Sequence, residues 1–279
     1  MAVSIAAIGP LHSHGFPSTE AGPKRTATYV NRSAPGFLEF AHALFEEPAP
    51  AFPGMHWFAA GARMKRVAVL ISGRGSNLGA LIEAGKDRSY PAAIVLVLSN
   101  RPDAAGLARA RAEGIATAVV DYTRFGKDRE AFERALQAEL ERHRIDIVCL
   151  AGFMRLLTPW FVRRWEGRLI NIHPALLPAF KGLNTHERAL AAGVKVHGAT
   201  VHFVVPDMDS GPIIAQESLA IRDGDDASSL AARVLELEHR IYPKALKLVA
   251  SGHIEMVDGE CRSDLERDAS GELILPKGN

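Results

Sequence analysis

The sequence is poor in cysteine, in any excess of charge of either sign and in long apolar runs. Only Cys149 and Cys261 occur among 279 residues, too few and too far apart for a disulfide framework. Cys149 sits inside an apolar run, which fits free thiols in a reducing compartment. A formal net charge of +1 leaves no electrostatic case for nucleic acid or a membrane surface as partner. No uninterrupted apolar stretch reaches the ~18 residues that a membrane helix needs. Met1 to Pro10 carry no positive charge ahead of their apolar part, unlike a secretory signal. These absences predict a cytoplasmic protein that acts on small molecules. Neither H-E-x-x-H nor a comparable spacing links His173, His186, His197 and His202, so no metal is expected. No internal repeat is visible.

What remains is an ordinary globular composition, 47% hydrophobic and 23% charged in 30.1 kDa. That suffices for one large α/β domain or two small ones. Residues 1–63 differ from the rest of the chain: Gly and Pro recur and apolar periodicity is broken. Only Gly36 to Glu47 suits a brief helix. The segment reads as a disordered extension or an artefact of start-site choice, because Met64-Lys65-Arg66 precedes a clean strand.

From Met64 onward, strands and helices alternate. Apolar runs at Val67–Ile71, Ala93–Leu98, Ala116–Val120 and Ile145–Leu150 predict strands. Helices are expected at Leu78–Ala84, Ala104–Glu113, Lys127–Arg144 and Thr158–Trp165. This alternation predicts a doubly wound, mostly parallel sheet. After a short helix at Thr185–Ala192, Val196–Val205 and Pro212–Leu219 read as an antiparallel hairpin at the sheet edge, closed by a tight link at Asp207–Gly211. A long helix spans Asp226 to Ser251, and His253–Val257 offers a last short strand. Residues 260–279 are expected to be a loose tail.

The stretch Leu169 to Pro178 organises the rest. It begins as a buried strand, and its period of two sets Asn171 and His173 on one face. Pro174 favours extended backbone at His173. An amide and an imidazole thus meet at the carboxyl end of a strand, the edge where open α/β sheets bind ligands. An amide N–H can donate to a developing oxyanion, and imidazole can move a proton near neutral pH. A strand-end histidine satisfied by a carbonyl is the plainer reading. Asp209, in Asp-Ser-Gly-Pro, is a turn residue by composition. It reaches His173 if the hairpin tip folds back over the strand, with Asp207 as the weaker substitute. His202 reads as structural or supporting.

Gly73-Arg74-Gly75-Ser76-Asn77 joins the first strand to the first helix. It is neither G-x-G-x-x-G nor a P-loop. A glycine turn feeding a helix N-terminus nevertheless suits phosphate. No acid closes the second strand at Ser99-Asn100, which argues against NAD.

In order and spacing, Ile71–Leu78, Leu150–Arg155, Asn171–Pro174 with Leu176–Pro178, Val201–Phe203, Asp209–Pro212 and Glu238–Pro243 resemble the glycinamide ribonucleotide formyltransferase family, folate-dependent enzymes of purine synthesis. The resemblance runs from about Met64 to Gly259. It implies a doubly wound sheet with an antiparallel C-terminal part and 10-formyltetrahydrofolate as co-substrate, with no metal. By resemblance, Gly75, Ser76 and Asn77 would hold the phosphate of phosphoribosylglycinamide and Glu238 its ribose. Arg129, Met154, Arg155, Leu156, Leu157 and Asn171 would border the folate, and Asn171, His173 and Asp209 would be catalytic. A monomer or homodimer is implied. The family's usual His-Thr-His reads Asn184-Thr185-His186 here. Formyltetrahydrofolate deformylases share the Asn-x-His…Asp set with water as acceptor, but usually carry a regulatory domain ahead of it. Methionyl-tRNA formyltransferases need a basic C-terminal domain, whereas a short, mixed-charge tail follows Gly259. A binding module without activity would not need the trio.

Overall fold

The computed structural model describes residues 63–266. The expected extension, apart from Arg63, the brief helix at Gly36–Glu47 and the end of the expected tail lie outside the described residues. Nine strands are described: β1 (Lys65–Ile71), β2 (Ala92–Ser99), β3 (Ala116–Val119), β4 (Ile147–Leu150), β5 (Leu169–His173), β6 (Val196–Phe203), β7 (Ile213–Ala220), β8 (Ile254–Val257) and β9 (Glu260–Ser263). Between them run α1 (Ser76–Ala84), α2 (Ala105–Ala112), α3 (Arg129–Arg142), α4 (Pro159–Arg164), α5 (Thr185–Ala191) and α6 (Ala227–Ala250), with a 3₁₀ turn at Tyr122–Phe125.

Seven strands form one sheet in the order β3-β2-β1-β4-β5-β6-β7. The first five are parallel, and β6 pairs antiparallel with both β5 and β7. Parallel strands covered on both faces read as continuous apolar runs, and β1 is such a strand. Val67, Val69 and Ile71 join Leu78, Leu107, Ile241 and Leu246 on one face. Ala68 and Leu70 join Leu136, Leu140 and Phe161 on the other. Helices α1, α2 and α6 therefore cover one side, and α3 and α4 the other. Each buried leucine contributes about 1.5–3 kcal/mol relative to exposure, so a charge at Leu136, which has no exposed surface, would break the α3 face. Tyr242 of α6, fully buried, donates its hydroxyl to the Leu150 carbonyl at 2.9 Å and the Ile170 carbonyl at 3.3 Å. That bond satisfies the phenol and pins α6 across β4 and β5.

Several expectations need correction. Helix α1 starts at Ser76 rather than Leu78, because Gly75 turns the chain left-handed and lets the helix begin at once. Strand β4 starts at Ile147, after Arg144 adopts a positive φ of 50°. The link between β6 and β7 is the longer segment 204–212 and not a tight turn. The tail is not loose from residue 260: Glu260–Ser263 pairs antiparallel with Ile254–Val257.

Strand order reverses at β1, whose neighbours are β2 and β4. The loops leaving β1 and β4 therefore diverge at their carboxyl ends and open a crevice.

Candidate active site

The turn after β1 forms one wall of that crevice. Gly75 has φ 69°, a left-handed conformation that costs glycine nothing. A Cβ there would lie 3.1 Å from Gly106 Cα, so helix α2 also requires the glycine. No side chain among the described residues caps α1, which leaves its first-turn N–H groups and positive dipole end open to a ligand. An open cavity of about 380 Å³ lies here, lined by the Ser72–Asn77 turn, Asn100, Arg101 and Tyr122, with Gly152, Met154 and Arg155 of the loop after β4. A larger cavity, about 530 Å³, lies at the amino ends of β4 and β5 against Trp165 and Arg168. It holds none of the predicted groups, and its Arg164 is already paired with Glu141 at 2.8 Å.

Ser72 joins the two walls. Its hydroxyl donates to Asn100 Oδ1 at 2.6 Å and accepts from the Met154 N–H at 2.7 Å. Asn77 donates through Nδ2 to Glu238 Oε2 at 2.5 Å, so the structure brings together two residues 161 positions apart. Glu238 is buried, and that burial raises its carboxyl pKa, opposed by the Asn77 hydrogen bond. Asn77 Oδ1 is buried and has no partner among the described residues.

At the carboxyl end of β5, His173 Nδ1 lies 3.5 Å from Asp209 Oδ2. Its Nε2–H donates to the Phe180 carbonyl at 3.0 Å. The 204–212 link thus brings Asp209 onto β5. Asp209 takes φ 49°, a left-handed geometry that aspartate tolerates better than bulkier residues. Its Oδ2 also accepts from the Gly182 N–H at 2.8 Å.

Asn171 and His202 are direct cross-strand partners. Asn171 Nδ2 lies 3.2 Å from His202 Nε2, and His202 Nδ1 lies 2.8 Å from the Phe203 carbonyl. A carbonyl only accepts, so Nδ1 carries the hydrogen and Nε2 accepts from the Asn171 amide. Burial lowers the His202 pKa, partly opposed by that carbonyl and by Asp209, which keeps the ring neutral. His202 therefore fixes which way the Asn171 amide points. It also lies 3.8 Å from Asp209 Oδ1, between two members of the trio. The alternation of β6 gave His202 a place in the strand, but only the β5–β6 register reveals its neighbour. The Phe180 carbonyl and Gly182 N–H are backbone groups and leave no side-chain signal.

On the other side of the crevice, Arg129 Nη2 donates to the Leu156 carbonyl at 2.5 Å. Arg129 therefore sits against the predicted 154–157 stretch, with one donor used on the protein itself. Arg155 lies 4.4 Å over the Tyr122 ring, an unpredicted neighbour. Met154 and Leu156 are 65% and 66% exposed, an apolar rim, while Leu157 is partly buried against the α3 core. His186 Nδ1 and His197 Nε2 lie 3.3 Å apart.

A family profile described as "Formyl transferase" matches residues 65–246. The chain is 44% identical over 212 residues to the phosphoribosylglycinamide formyltransferase of Escherichia coli K12, covering 76% of this chain and 97% of that protein. It is 51% identical over 191 residues to the human trifunctional purine biosynthetic protein adenosine-3, covering 68% of this chain and 19% of that protein. The chain thus spans about a fifth of the length of that trifunctional relative. Among solved structures, the phosphoribosylglycinamide formyltransferase of Coxiella burnetii superposes with a TM-score of 0.68 at 44% identity, over 72% of this chain and 93% of that one. A formyltetrahydrofolate deformylase from Pseudomonas putida superposes with 0.66 at 28% identity, over 74% of this chain and 72% of that one.

Proposed function

Because the chain belongs to the formyl transferase family, we propose that it moves a formyl group from 10-formyltetrahydrofolate to the amine of 5′-phosphoribosylglycinamide. The observation that carries this reading is the approach of Asp209 to His173 at 3.5 Å, beside an amide held by His202. The phosphate is met by the uncapped first turn of α1, beginning at Ser76 after Gly75. Asn77 and Glu238 hold the ribose, whose hydroxyls can donate to Glu238 and to the unpartnered Asn77 Oδ1. The exposed Met154 and Leu156 suit a flat, largely apolar ring system, with Arg129, Arg155 and Leu157 behind them.

The glycinamide nitrogen attacks the formyl carbon and the carbonyl oxygen becomes an oxyanion. Asn171 has one amide hydrogen on His202 and a second free to meet that charge. His173 uses Nε2–H on the Phe180 carbonyl and turns Nδ1 towards the Asp209 carboxylate, so each ring nitrogen faces an acceptor. At 3.5 Å the contact with Asp209 is loose enough for a third oxygen to share the Nδ1 proton. The attack forms the new C–N bond, and collapse of the oxyanion restores the carbonyl and breaks the bond to the folate nitrogen. The amine nitrogen becomes positively charged on adding to the formyl carbon, and the proton it then loses passes, through a water held by Asp209, to that leaving nitrogen. Aligning two substrates in one crevice supplies much of the acceleration, since good alignment is worth roughly 7–11 kcal/mol.

The deciding assay gives the full chain 10-formyltetrahydrofolate with and without glycinamide ribonucleotide. Tetrahydrofolate release that requires the ribonucleotide, with formylated product, is the expected result. Equal release without it would make the protein a hydrolase, and no release in either arm would overturn the enzymatic reading.

A further inference from the structure

The turn at residues 180–183 shows its peptide groups to two sides. Towards the site, the Phe180 carbonyl accepts from His173 and the Gly182 N–H donates to Asp209. Away from it, Arg188 of α5 donates through Nη1 to the Lys181 carbonyl at 2.6 Å and the Leu183 carbonyl at 3.3 Å. The Lys181 carbonyl and the Gly182 N–H are the two ends of one planar peptide unit, pointing in opposite directions. A guanidinium on the oxygen end draws electron density from the nitrogen end and strengthens that N–H as a donor. Arg188 also lies 5.7 Å from the Phe180 ring centroid. Phe180 itself has φ 54°, which a bulky residue adopts only when its surroundings hold it there.

We infer that Arg188 is a positioning residue: through the Lys181–Gly182 peptide unit it fixes and strengthens the hydrogen bond to Asp209, and through the same turn it holds the Phe180 carbonyl on His173. This rests on the proposed formyl transfer. The other charged or titratable groups around the pair are His202, 3.8 Å from Asp209, Lys181, whose Nζ donates to Ser210 at 2.6 Å, and the His186–His197 contact. Arg188 reaches the turn through the Lys181 and Leu183 carbonyls and the Phe180 ring, and none of these other side chains is among its described partners.

The test compares Arg188→Met and Arg188→Lys with the parent chain. In Arg188→Met, turnover falls about three- to tenfold, as for loss of one charged hydrogen bond partly open to solvent, while KM for the ribonucleotide stays within about twofold. The pH profile of kcat/KM narrows. Both limbs move because the Gly182 N–H facing Asp209 and the Phe180 carbonyl facing His173 are no longer held in place. Arg188→Lys recovers part of both. Unchanged turnover, or reduced turnover with both limbs unmoved, would overturn the inference and leave Arg188 a structural residue. Hydrogen exchange at the Gly182 amide gives a readout without activity, expected to quicken about tenfold in Arg188→Met. Unchanged exchange also overturns the relay. A parent chain that transfers no formyl group would remove the functional reading, while the Gly182 amide still decides whether the relay exists.

Discussion

The Asn77 amide donates to the Glu238 carboxylate over 2.5 Å and so ties the first turn of α1 to the middle of α6. Glu238 is 8% exposed, and this amide is the hydrogen-bond partner described for it. A carboxylate in such a place costs stability unless it is paired and fully hydrogen-bonded. Its presence beside the Gly75 turn fits the proposed ribose, whose hydroxyls can donate to it.

Replacing Glu238 with Gln separates the two roles. Burial raises the carboxyl pKa in the folded chain, so the folded state holds that proton more tightly than the unfolded one. The stability from the neutral form is present below the unfolded value and is lost as pH rises through the raised folded value. Glu238→Gln is therefore expected to be at least as thermostable as the parent at pH 8, with the difference closing towards pH 4. KM for the ribonucleotide rises about ten- to a hundredfold, as for loss of a hydrogen bond to a charged group. Thermal unfolding across that range checks the first half, and a Gln variant less stable at pH 8 would refute it.

Asp209→Asn keeps an oxygen for the Gly182 N–H but removes the charge facing His173. Turnover is expected to fall about 10²- to 10⁴-fold, the usual range for a proton-transfer group. KM for the ribonucleotide should barely move, because the Asn77–Glu238 contact belongs to other elements. Steady-state kinetics at fixed folate decide it, and a turnover within a few-fold of the parent would remove Asp209 from the proton path.

Strand β5 and its pair of polar residues were legible because a period-two strand fixes which side chains share a face. The site's remaining geometry comes from relations that no local pattern carries. His202 meets Asn171 only through the β5–β6 register, and the turn at 180–182 contributes peptide groups, which are the same in every residue. The C-terminal hairpin was legible and was missed. Asp258 and Gly259 both have positive φ, 53° and 78°, and a two-residue Asp-Gly loop of that kind is a strong hairpin signal. Polar composition outweighed it in reading residues 260–279 as a loose tail.

The histidines beneath the 180–183 turn should give the fold an acid sensitivity of their own. Burial first, then the charges of His186 and His173, hold the His197 pKa down to about 4, opposed by the Pro174 carbonyl. The unfolded chain takes up this proton near pH 6.5, so the stabilisation is complete above that value and is lost as pH falls towards 4. His186 and His202 shift the same way, so the parent loses stability over that window through all three. His197→Gln should flatten the slope of melting temperature against pH between 6.5 and 4, whatever its effect on absolute stability. An identical slope in variant and parent would show that His197 takes up its proton equally in both states.

Gly211 follows the Asp209-Ser210 turn at a point where the chain has no room. A Cβ there would sit 1.8 Å from the Phe203 carbonyl oxygen and 3.5 Å from His202 Nδ1. That oxygen is also the acceptor that fixes the His202 tautomer. Gly211→Ala must therefore push the 204–212 link off β6, at about 1–3 kcal/mol for overpacking, and carry Asp209 away from His173. Gly73→Ala is the contrast, since a Cβ there meets nothing among the described residues within 4 Å. The expectation is a lowered melting temperature and lowered turnover for Gly211→Ala, with ribonucleotide affinity kept. For Gly73→Ala, an unchanged melting temperature with weakened ribonucleotide affinity is expected, because the added methyl stands in the turn proposed to meet the phosphate. Should Gly211→Ala melt like the parent and keep its turnover, the approach of Asp209 would not depend on that close passage of backbone against backbone.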